Sequence, residues 1–294
     1  MRVIITGGNG FIGCHLIRHL FSQGLDIKNL SRQEGYDLSD DCLQDVGSAD
    51  AVIHLAAKTF VPDSRIDPKN LYKENFISTL NLLEHSRQKG IKKFVYLSSY
   101  VYGKPTYLPI NEDHPLNINN PYGRSKLLCE SLCKSYAEDF GMNIIIVRPF
   151  NVYGWGQDSR FLLPTIINQA MDIHSDKIML HDLKPKRDFL YIKDLVIILD
   201  KILKEPSNKS LSVLNLGLGK SYSVKDVATK LLDVFNIQKN LIQKGSKREN
   251  EIDDCYADIS YVKERFSWSP AFDIDEGLKD MYLSLGENQV NVSK

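Results

Sequence analysis

This sequence lacks the long apolar runs and the charge imbalance that would tie a protein to a membrane or to a nucleic acid. Its 294 residues include 37 basic and 37 acidic side chains, so the formal net charge is zero. No apolar run approaches the roughly 20 residues that a transmembrane helix requires. A balanced charge gives little attraction to anionic lipid or to a phosphate backbone. We therefore expect neither a membrane nor a nucleic acid as a partner.

Paired cysteines are also missing. The five cysteines are scattered and include no Cys-x-x-Cys pair. Cys129 and Cys133 share a predicted helix face, but two thiols alone make a poor metal site, and the histidines have no metal-ligand spacing. We predict no metal. The N-terminus, MRVIITGG, enters a predicted strand at once, which leaves no room for a signal peptide. These features favour a reduced, cytoplasmic chain.

The first half of the chain alternates short β-rich runs with helical segments. Strands are predicted at 2–6, 25–30, 51–55, 93–97 and 143–147, and helices at 11–22, 70–88 and 121–140. Short strands separated by helices indicate parallel strands joined by crossover helices. Right-handed crossovers then favour a doubly wound, mostly parallel, Rossmann-type α/β sheet.

Beyond about residue 150 the alternation becomes less regular. Helices are predicted near 162–171, 193–203, 224–233 and 275–285, and short strands at 178–180, 213–216 and 239–242. We therefore expect a dinucleotide-binding domain over 1–150 and a smaller C-terminal α/β region over 151–294 that binds the substrate. Some elements of the second region are expected to return to the first sheet.

Three glycines stand near the start of the chain. Gly7, Gly10 and Gly13 in TGGNGFIG follow a predicted strand and open a helix. This spacing provides a tight turn, a close approach of backbone to a pyrophosphate, and close packing of helix on strand. The free N–H groups and the dipole of the helix N-terminus attract phosphates. The segment, with Phe11 and Ile12, is predicted to bind a dinucleotide.

A serine, a tyrosine and a lysine form a second group. Tyr122 and Lys126 are four residues apart on a predicted helix, so they share a face. A free tyrosine has a pKa near ~10, and a neighbouring ammonium lowers that pKa towards neutrality. Ser98 lies at the carboxyl end of a strand, where ligands of open α/β sheets bind. The three side chains predict acid–base chemistry on a carbonyl or alkoxide oxygen.

A series of motifs runs in order along nearly the whole chain. They are TGGNGFIG, HLAAK, ENFISTLNLLE, SSYVYG, PYGRSK, RPFNVYG, KRDFLYIKDL and WSPAFDIDEGL. Together they resemble the extended short-chain dehydrogenase/reductase family, and more narrowly its nucleotide-sugar epimerases, dehydratases and 4-ketoreductases. The resemblance implies an NAD(P)-dependent enzyme, a nucleotide-diphosphate sugar as substrate, and a homodimer formed through the helices near 75–88 and 121–140.

The resemblance also implies roles for individual residues. Ser98, Tyr122 and Lys126 would be catalytic. The residues expected at the cofactor are Gly7, Gly10, Phe11, Ile12, Gly13, Ser31, Arg32, Asp37, Leu38, Leu55, Ala56, Ala57, Asn75, Tyr122 and Lys126. The residues expected at the substrate are Ser99, Tyr100, Asn151, Arg187 and Arg248. Arginine suits a diphosphate because its guanidinium bonds phosphate oxygens bidentately.

An Asp-Glu pair is absent after the predicted catalytic serine. The dehydratases of the family use these two carboxylates to eliminate water from the sugar, whereas this chain has Ser99 and Tyr100 there. Without the pair, no carboxylate there takes a carbon-bound proton or protonates a leaving hydroxyl. We expect no dehydration.

An acidic residue is absent at the end of the second predicted strand. NAD-dependent members of the family have a carboxylate there that accepts both ribose hydroxyls and would repel a 2′-phosphate. This chain has Ser31 and Arg32, a hydroxyl and a guanidinium that suit a phosphate. We therefore expect NADP(H) in preference to NAD(H). The alternative is that Arg32 stacks on the adenine or points into solvent.

These features predict the NADPH-dependent reduction of a nucleotide-activated 4-keto-6-deoxyhexose at C4. Tyr122 would protonate the developing alkoxide, Ser98 would bond the same oxygen, and Lys126 would tune the tyrosine and hold the ribose. The alternative is an NAD-dependent nucleotide-sugar 4-epimerase that uses the same three residues. A catalytically silent cofactor sensor on this fold would be expected to lose the Tyr–Lys pair, which is present.

Overall fold

The computed structural model describes residues 1–40, 42–206, 209–246 and 251–292, with the side chains of 286–292 left out. The chain divides into two units. Unit 1 comprises Met1–Gly103, Pro115–Pro149 and Val196–Asn215. Unit 2 comprises Lys104–His114, Phe150–Leu195 and Leu216–Lys294.

Strands and helices alternate through most of the chain. The strands are β1 (Arg2–Thr6), β2 (Asp26–Leu30), β3 (Ala51–His54), β4 (Lys93–Leu97), β5 (Asn143–Pro149), β6 (Asn151–Tyr153), β7 (Lys177–Leu180), β8 (Lys186–Tyr191), β9 (Leu211–Leu216), β10 (Ser221–Ser223), β11 (Asn240–Gln243) and β12 (Asp254–Cys255). The helices are α1 (Phe11–Ser22), α2 (Asp63–Ile66), α3 (Pro68–Tyr72), α4 (Ser78–Gln88), α5 (Pro121–Phe140), α6 (Leu162–Met171), α7 (Ile192–Lys204), α8 (Val224–Phe235), α9 (Ser260–Phe266) and α10 (Ile274–Val292).

A six-stranded sheet forms the centre of unit 1. Its order is β2-β1-β3-β4-β5-β9, and the pairs from β2 to β5 are parallel. Every residue of β3, β4 and β5 is buried, as expected for parallel strands covered on both faces. The predicted doubly wound, mostly parallel α/β sheet is confirmed.

The strand order reverses at β1. From β1 the chain passes to β2 on one side and then to β3, β4 and β5 on the other. In an open sheet, the crevice outside the carboxyl ends of the strands at such a reversal is where ligands bind. The residues that follow β1 and β3 therefore come together at this crevice.

The helix predicted over 70–88 is interrupted in the structure. It is divided into α3, a π-helical turn over Lys73–Ile77, and α4. The 3.6-residue periodicity cannot show this turn, because a π-helical turn adds a residue without changing which types of side chain are present. Such turns are frequent at functional sites, and this one carries Glu74 and the buried Asn75.

Unit 2 contains two small sheets. In one, β8 pairs with β10, β12 and β6, and in the other β7 and β11 are parallel. The helix α8 begins with a capping box, in which Ser223 and Asp226 bond each other's backbone N–H groups. None of β6, β8, β10 and β12 was predicted from the sequence. Within the described residues, no helix is both long enough and apolar enough to span a membrane.

Candidate active site

The turn between β1 and α1 is the first part of the site. Gly7 has a φ of +68°, and a Cβ added there would lie 2.9 Å from the Ala56 Cα. A Cβ on Gly13 would lie 2.3 Å from the Gly7 carbonyl oxygen. Both positions therefore require glycine. No described side chain caps the N-terminus of α1, so its N–H groups are available to a phosphate. The turn fits the pyrophosphate of a dinucleotide.

A cavity of about 290 Å³ opens beside this turn within unit 1. The predicted cofactor residues that line it are Gly7, Gly10, Ser31, Arg32, Asp37, Leu38, Ala56 and Ala57. Phe11, Ile12, Gly13, Leu55, Asn75, Tyr122 and Lys126 are not among its lining residues. Residues that line it but were not predicted are Asn9, Leu30, Gln33, Tyr36, Lys58, Glu74 and Ser78. The cavity thus forms where the residues after β1, β2 and β3 meet.

Ser31 is bound to an asparagine that sequence reasoning missed. Its Oγ donates to the Asn9 Oδ1 at 2.7 Å, and the Asn29 Nδ2 donates to the same oxygen at 2.6 Å. A hydroxyl has a single proton to donate, so a phosphate at Ser31 must compete with Asn9 for it. The position of Asn9 between two fingerprint glycines was the signal available in the sequence.

Arg32 is held between two carboxylates. Its guanidinium donates to the Glu74 carboxylate, and its Nε lies 3.4 Å from the Asp37 Oδ2. The Glu74 carboxylate, as acceptor of this hydrogen bond, raises the pKa of Arg32 above its ordinary value. The sequence left two arrangements open: a free guanidinium that faces a phosphate, or one turned to the adenine or to solvent. The pairing of Arg32 with Glu74 and Asp37 is a third arrangement.

Lys126 lies on the second turn of α5 and is buried. Its side chain is among the buried polar groups at 3% exposure, and its Nζ donates to the Leu97 carbonyl oxygen at 2.7 Å. The Nζ also lies 4.9 Å from the centroid of the Tyr96 ring, a cation–π contact. Burial lowers the pKa of Lys126 to about 8. The ammonium is therefore still the main form at neutral pH.

Tyr122 differs from its expected electrostatics. Burial raises its pKa to about 12, and the Ser99 side chain opposes that rise. The sequence predicted that Lys126 would lower this pKa. In the structure the Lys126 ammonium faces the Leu97 carbonyl oxygen and the Tyr96 ring instead. Tyr122 is consequently a protonated phenol at neutral pH.

The two adjacent serines have different partners. Ser98 is buried, and its Oγ donates to the Glu130 Oε1 at 2.6 Å. Glu130 also accepts two hydrogen bonds from Arg148, at 2.9 and 2.6 Å. Ser99, which was predicted at the substrate, is the serine whose side chain lowers the pKa of Tyr122. The catalytic role expected of Ser98 stays a prediction, and in the structure its hydroxyl closes a buried ion-pair network.

Asn75 joins three parts of the unit. Its Oδ1 accepts from the Lys58 N–H at 2.8 Å, and its Nδ2 donates to the Ser125 Oγ at 2.9 Å. The first bond holds the segment after β3, and the second holds the first turns of α5. Asn75 therefore fixes the cofactor cavity relative to Tyr122 through protein contacts. Tyr100 is partly exposed and lies near enough to Tyr122 to raise the pKa of its phenol.

Two residues predicted at the substrate, Asn151 and Arg187, line a cavity of about 460 Å³ within unit 2. Arg187 donates to the Glu251 Oε1 at 2.5 Å and to the Ile252 carbonyl oxygen at 2.7 Å. Its guanidinium is thus held by the chain. Arg248 lies outside the described residues.

Further polar residues line the cavity of unit 2. Arg160 and His181 both face it, and neither was predicted. Arg160 pairs with Asp158 at 2.9 Å and has a side chain that is 48% exposed. In the sequence, Arg160 and His181 were marked only by their proximity to NVYG and KRDFLY. Among the described residues, no group of three or more His, Cys, Asp and Glu side chains could hold a metal ion.

Comparison with known proteins places this geometry in a family. The family model described as "NAD dependent epimerase/dehydratase family" matches residues 3–217. A putative UDP-glucose 4-epimerase of Methanocaldococcus jannaschii is 31% identical, over 94% of this chain and 96% of its own length. The chain belongs to the NAD-dependent epimerase/dehydratase family. The resemblance to extended short-chain dehydrogenases/reductases and the predicted NAD(P)-dependent type of enzyme are confirmed.

Another relative of the chain is described as a reductase. The GDP-6-deoxy-D-mannose reductase of Pseudomonas aeruginosa is 30% identical, over 98% of both chains. The structure of RMD from Pseudomonas aeruginosa complexed with NADPH superposes with a TM-score of 0.89 at 29% identity, covering 98% of this chain and 99% of the other. Reductases and epimerases thus both occur among proteins that match nearly the whole chain.

Proposed function

We propose that the chain is an NADPH-dependent reductase of a nucleotide-activated 4-keto-6-deoxyhexose, acting on the C4 carbonyl. The observation that carries the proposal is the end of β2, where Ser31 and Arg32 line the cofactor cavity in place of a carboxylate. A hydroxyl and a guanidinium favour a 2′-phosphate. The reductase relative and the NADPH complex of a similar structure support the same choice.

The state of Tyr122 supports net reduction. When bound, the cofactor supplies hydride to the carbonyl carbon, and the carbonyl oxygen then needs a proton. Tyr122, with its pKa raised to about 12, holds that proton at neutral pH and can donate it. An epimerase would instead require this phenol to be deprotonated first, because its first step removes a proton from a sugar hydroxyl.

The remaining catalytic roles follow from the contacts around Tyr122. Ser99, whose side chain lowers the pKa of Tyr122, would donate to the same substrate oxygen and stabilise its developing charge. Lys126, an ammonium at neutral pH, would hold the ribose hydroxyls of the cofactor. Ser98 would support the site indirectly, through its hydrogen bond to Glu130.

The proposal is tested by mixing the protein with NADPH and 4-keto-6-deoxyhexoses carried on guanosine, uridine or thymidine diphosphate. We expect stoichiometric loss of the NADPH absorbance with one of them, and no loss with the Tyr122→Phe variant, which should still bind NADPH. If no keto-sugar nucleotide is reduced while UDP-glucose and UDP-galactose interconvert, the proposal is wrong.

The second candidate is an NAD-dependent nucleotide-sugar 4-epimerase. One specific observation favours it, since the Glu74 carboxylate lines the cofactor cavity and could accept a ribose hydroxyl. The Methanocaldococcus jannaschii relative supports the same activity. An epimerase returns the hydride to the sugar, so it should retain NAD during purification, and the identity of any copurifying cofactor separates the two candidates.

A further inference from the structure

The ion pair between Arg32 and Glu74 joins two segments that are 42 residues apart. Arg32 follows β2, and Glu74 lies on the π-helical turn between α3 and α4. Both side chains line the 290 Å³ cavity. The Arg32 side chain is 56% exposed and that of Glu74 is 18% exposed, so a ligand in the cavity can reach the pair.

Glu74 is held firmly in this place. The next residue, Asn75, is 1% exposed and is bonded to the backbone of Lys58 and to the Ser125 Oγ. These bonds fix the π-helical turn against the segment after β3 and against α5. The Glu74 carboxylate therefore projects from a rigid support, whereas Arg32 has a long, half-exposed side chain that can change partner.

The charges that line the cavity are balanced before any ligand binds. Arg32 and Lys58 are basic, and Asp37 and Glu74 are acidic. Ser31 and Arg32 considered alone would make a positive site for a 2′-phosphate. In the structure the guanidinium already has two carboxylate partners. A 2′-phosphate must displace at least one of them to pair with Arg32.

We propose that Glu74 sets the cofactor selectivity of this protein. It competes with the 2′-phosphate of NADPH for Arg32, and with NADH it supplies the carboxylate acceptor for the ribose hydroxyl that β2 lacks. This inference rests on the proposed pairing of Arg32 with the phosphate. Glu74 therefore weakens NADPH binding and strengthens NADH binding, and the protein discriminates less between the two cofactors than an unopposed Arg32 would allow.

The test is calorimetric titration of the cofactor-free protein with NADPH and NADH. Glu74→Gln keeps the shape of the side chain and removes its charge. We expect the ratio of the NADH Kd to the NADPH Kd to rise by about tenfold, the scale of one charge-assisted hydrogen bond at a partly exposed site. The stoichiometry of each titration shows that the variant is folded and competent to bind.

Two further variants make the result specific. Asp40→Asn removes the same charge from the partner of the neighbouring Lys73, at 3.2 Å, outside the cavity lining. It should leave the ratio unchanged. In an Arg32→Ala background, Glu74→Gln should no longer strengthen NADPH binding, because no guanidinium remains to be released.

Two outcomes overturn the inference. One is an unchanged ratio in Glu74→Gln, which together with an equal weakening of both cofactors would make Glu74 a purely structural residue, and the other is a fall in the ratio. A different result would show that the proposed pairing of Arg32 with the 2′-phosphate is wrong. In that case Arg32→Ala, in the otherwise wild-type protein, would leave NADPH binding unchanged. All of these readouts are binding constants, so they do not depend on which sugar the enzyme reduces.

Discussion

The different partners of Ser98 and Ser99 give the sharpest prediction about catalysis. Each residue can be changed to alanine, which removes one hydroxyl from two adjacent positions. Ser98 donates to the buried Glu130, whereas the Ser99 side chain lowers the pKa of the Tyr122 phenol. We therefore expect Ser98→Ala to affect stability and Ser99→Ala to affect turnover.

The sizes of both effects follow from the contacts. Ser98→Ala removes one hydrogen bond to a buried carboxylate, about 1.5–3 kcal/mol. The lower end applies, because Glu130 keeps both hydrogen bonds from Arg148. Ser99→Ala removes a donor to the oxygen on which charge develops, which costs about 10²–10³-fold in kcat. The stability of Ser99→Ala should change little, since its position is partly exposed.

Urea unfolding and NADPH oxidation measured on both variants decide between the two roles. The account predicts a lower unfolding midpoint with near-normal kcat for Ser98→Ala, and the reverse for Ser99→Ala. A Ser98→Ala protein of normal stability that has lost its turnover would refute the reasoning, and it would make Ser98 the hydroxyl that acts on the sugar.

Three other predictions follow from the buried groups of unit 1. Tyr96→Leu removes the ring in contact with the Lys126 ammonium and so lowers the pKa of Lys126, which should move the alkaline limb of the kcat/KM profile down by about one pH unit. Tyr96→Phe keeps a ring and should leave the limb in place. Equal shifts in the two variants would exclude a role for the cation–π contact. Gly13→Ala should abolish cofactor binding in a titration, because its Cβ would meet the Gly7 carbonyl oxygen at 2.3 Å, and unaltered binding would contradict the tight turn. Burial lowers the pKa of His54 to about 3, so only the unfolded chain binds a proton at this residue between about pH 6.5 and 3, and the folded state loses stability as the pH falls. His54 should account for a loss of about 2 kcal/mol of unfolding free energy between pH 7 and pH 5. His54→Gln should therefore show a smaller pH dependence in urea melts.

The elements that sequence analysis located best have strong local signals. The predicted bounds of α5 agree with the structure, because Asn120 caps its first turn, Pro121 occupies its first position, and Gly141 ends it with φ of +63°. The strands β1 and β4 were equally clear as short apolar runs. In contrast, β8 begins with Lys-Arg-Asp and pairs with strands from distant parts of the chain, so neither composition nor neighbouring sequence indicated it.

The candidate site was predictable as a set of motifs and less so as a set of contacts. The glycine turn follows β1, and Tyr122 and Lys126 lie on α5, which are the elements predicted for them. The Arg32–Glu74 pair could not be read from the sequence, because it depends on a π-helical turn and on a separation of 42 residues. Because Ser98 and Ser99 are identical neighbours, the sequence held no signal that the first of them would donate to Glu130.

The central claim, net reduction of a keto-sugar nucleotide, is tested most directly by following the hydride. NADPH that carries deuterium at the transferred position is incubated with a nucleotide-linked 4-keto-6-deoxyhexose, and the product is examined by mass spectrometry and NMR. The account predicts one deuterium at C4 of the sugar for each NADPH oxidised. Unchanged NADPH and unchanged keto-sugar nucleotide, together with interconversion of UDP-glucose and UDP-galactose without added NADPH, would contradict it and would identify an epimerase that returns each hydride to the sugar that supplied it.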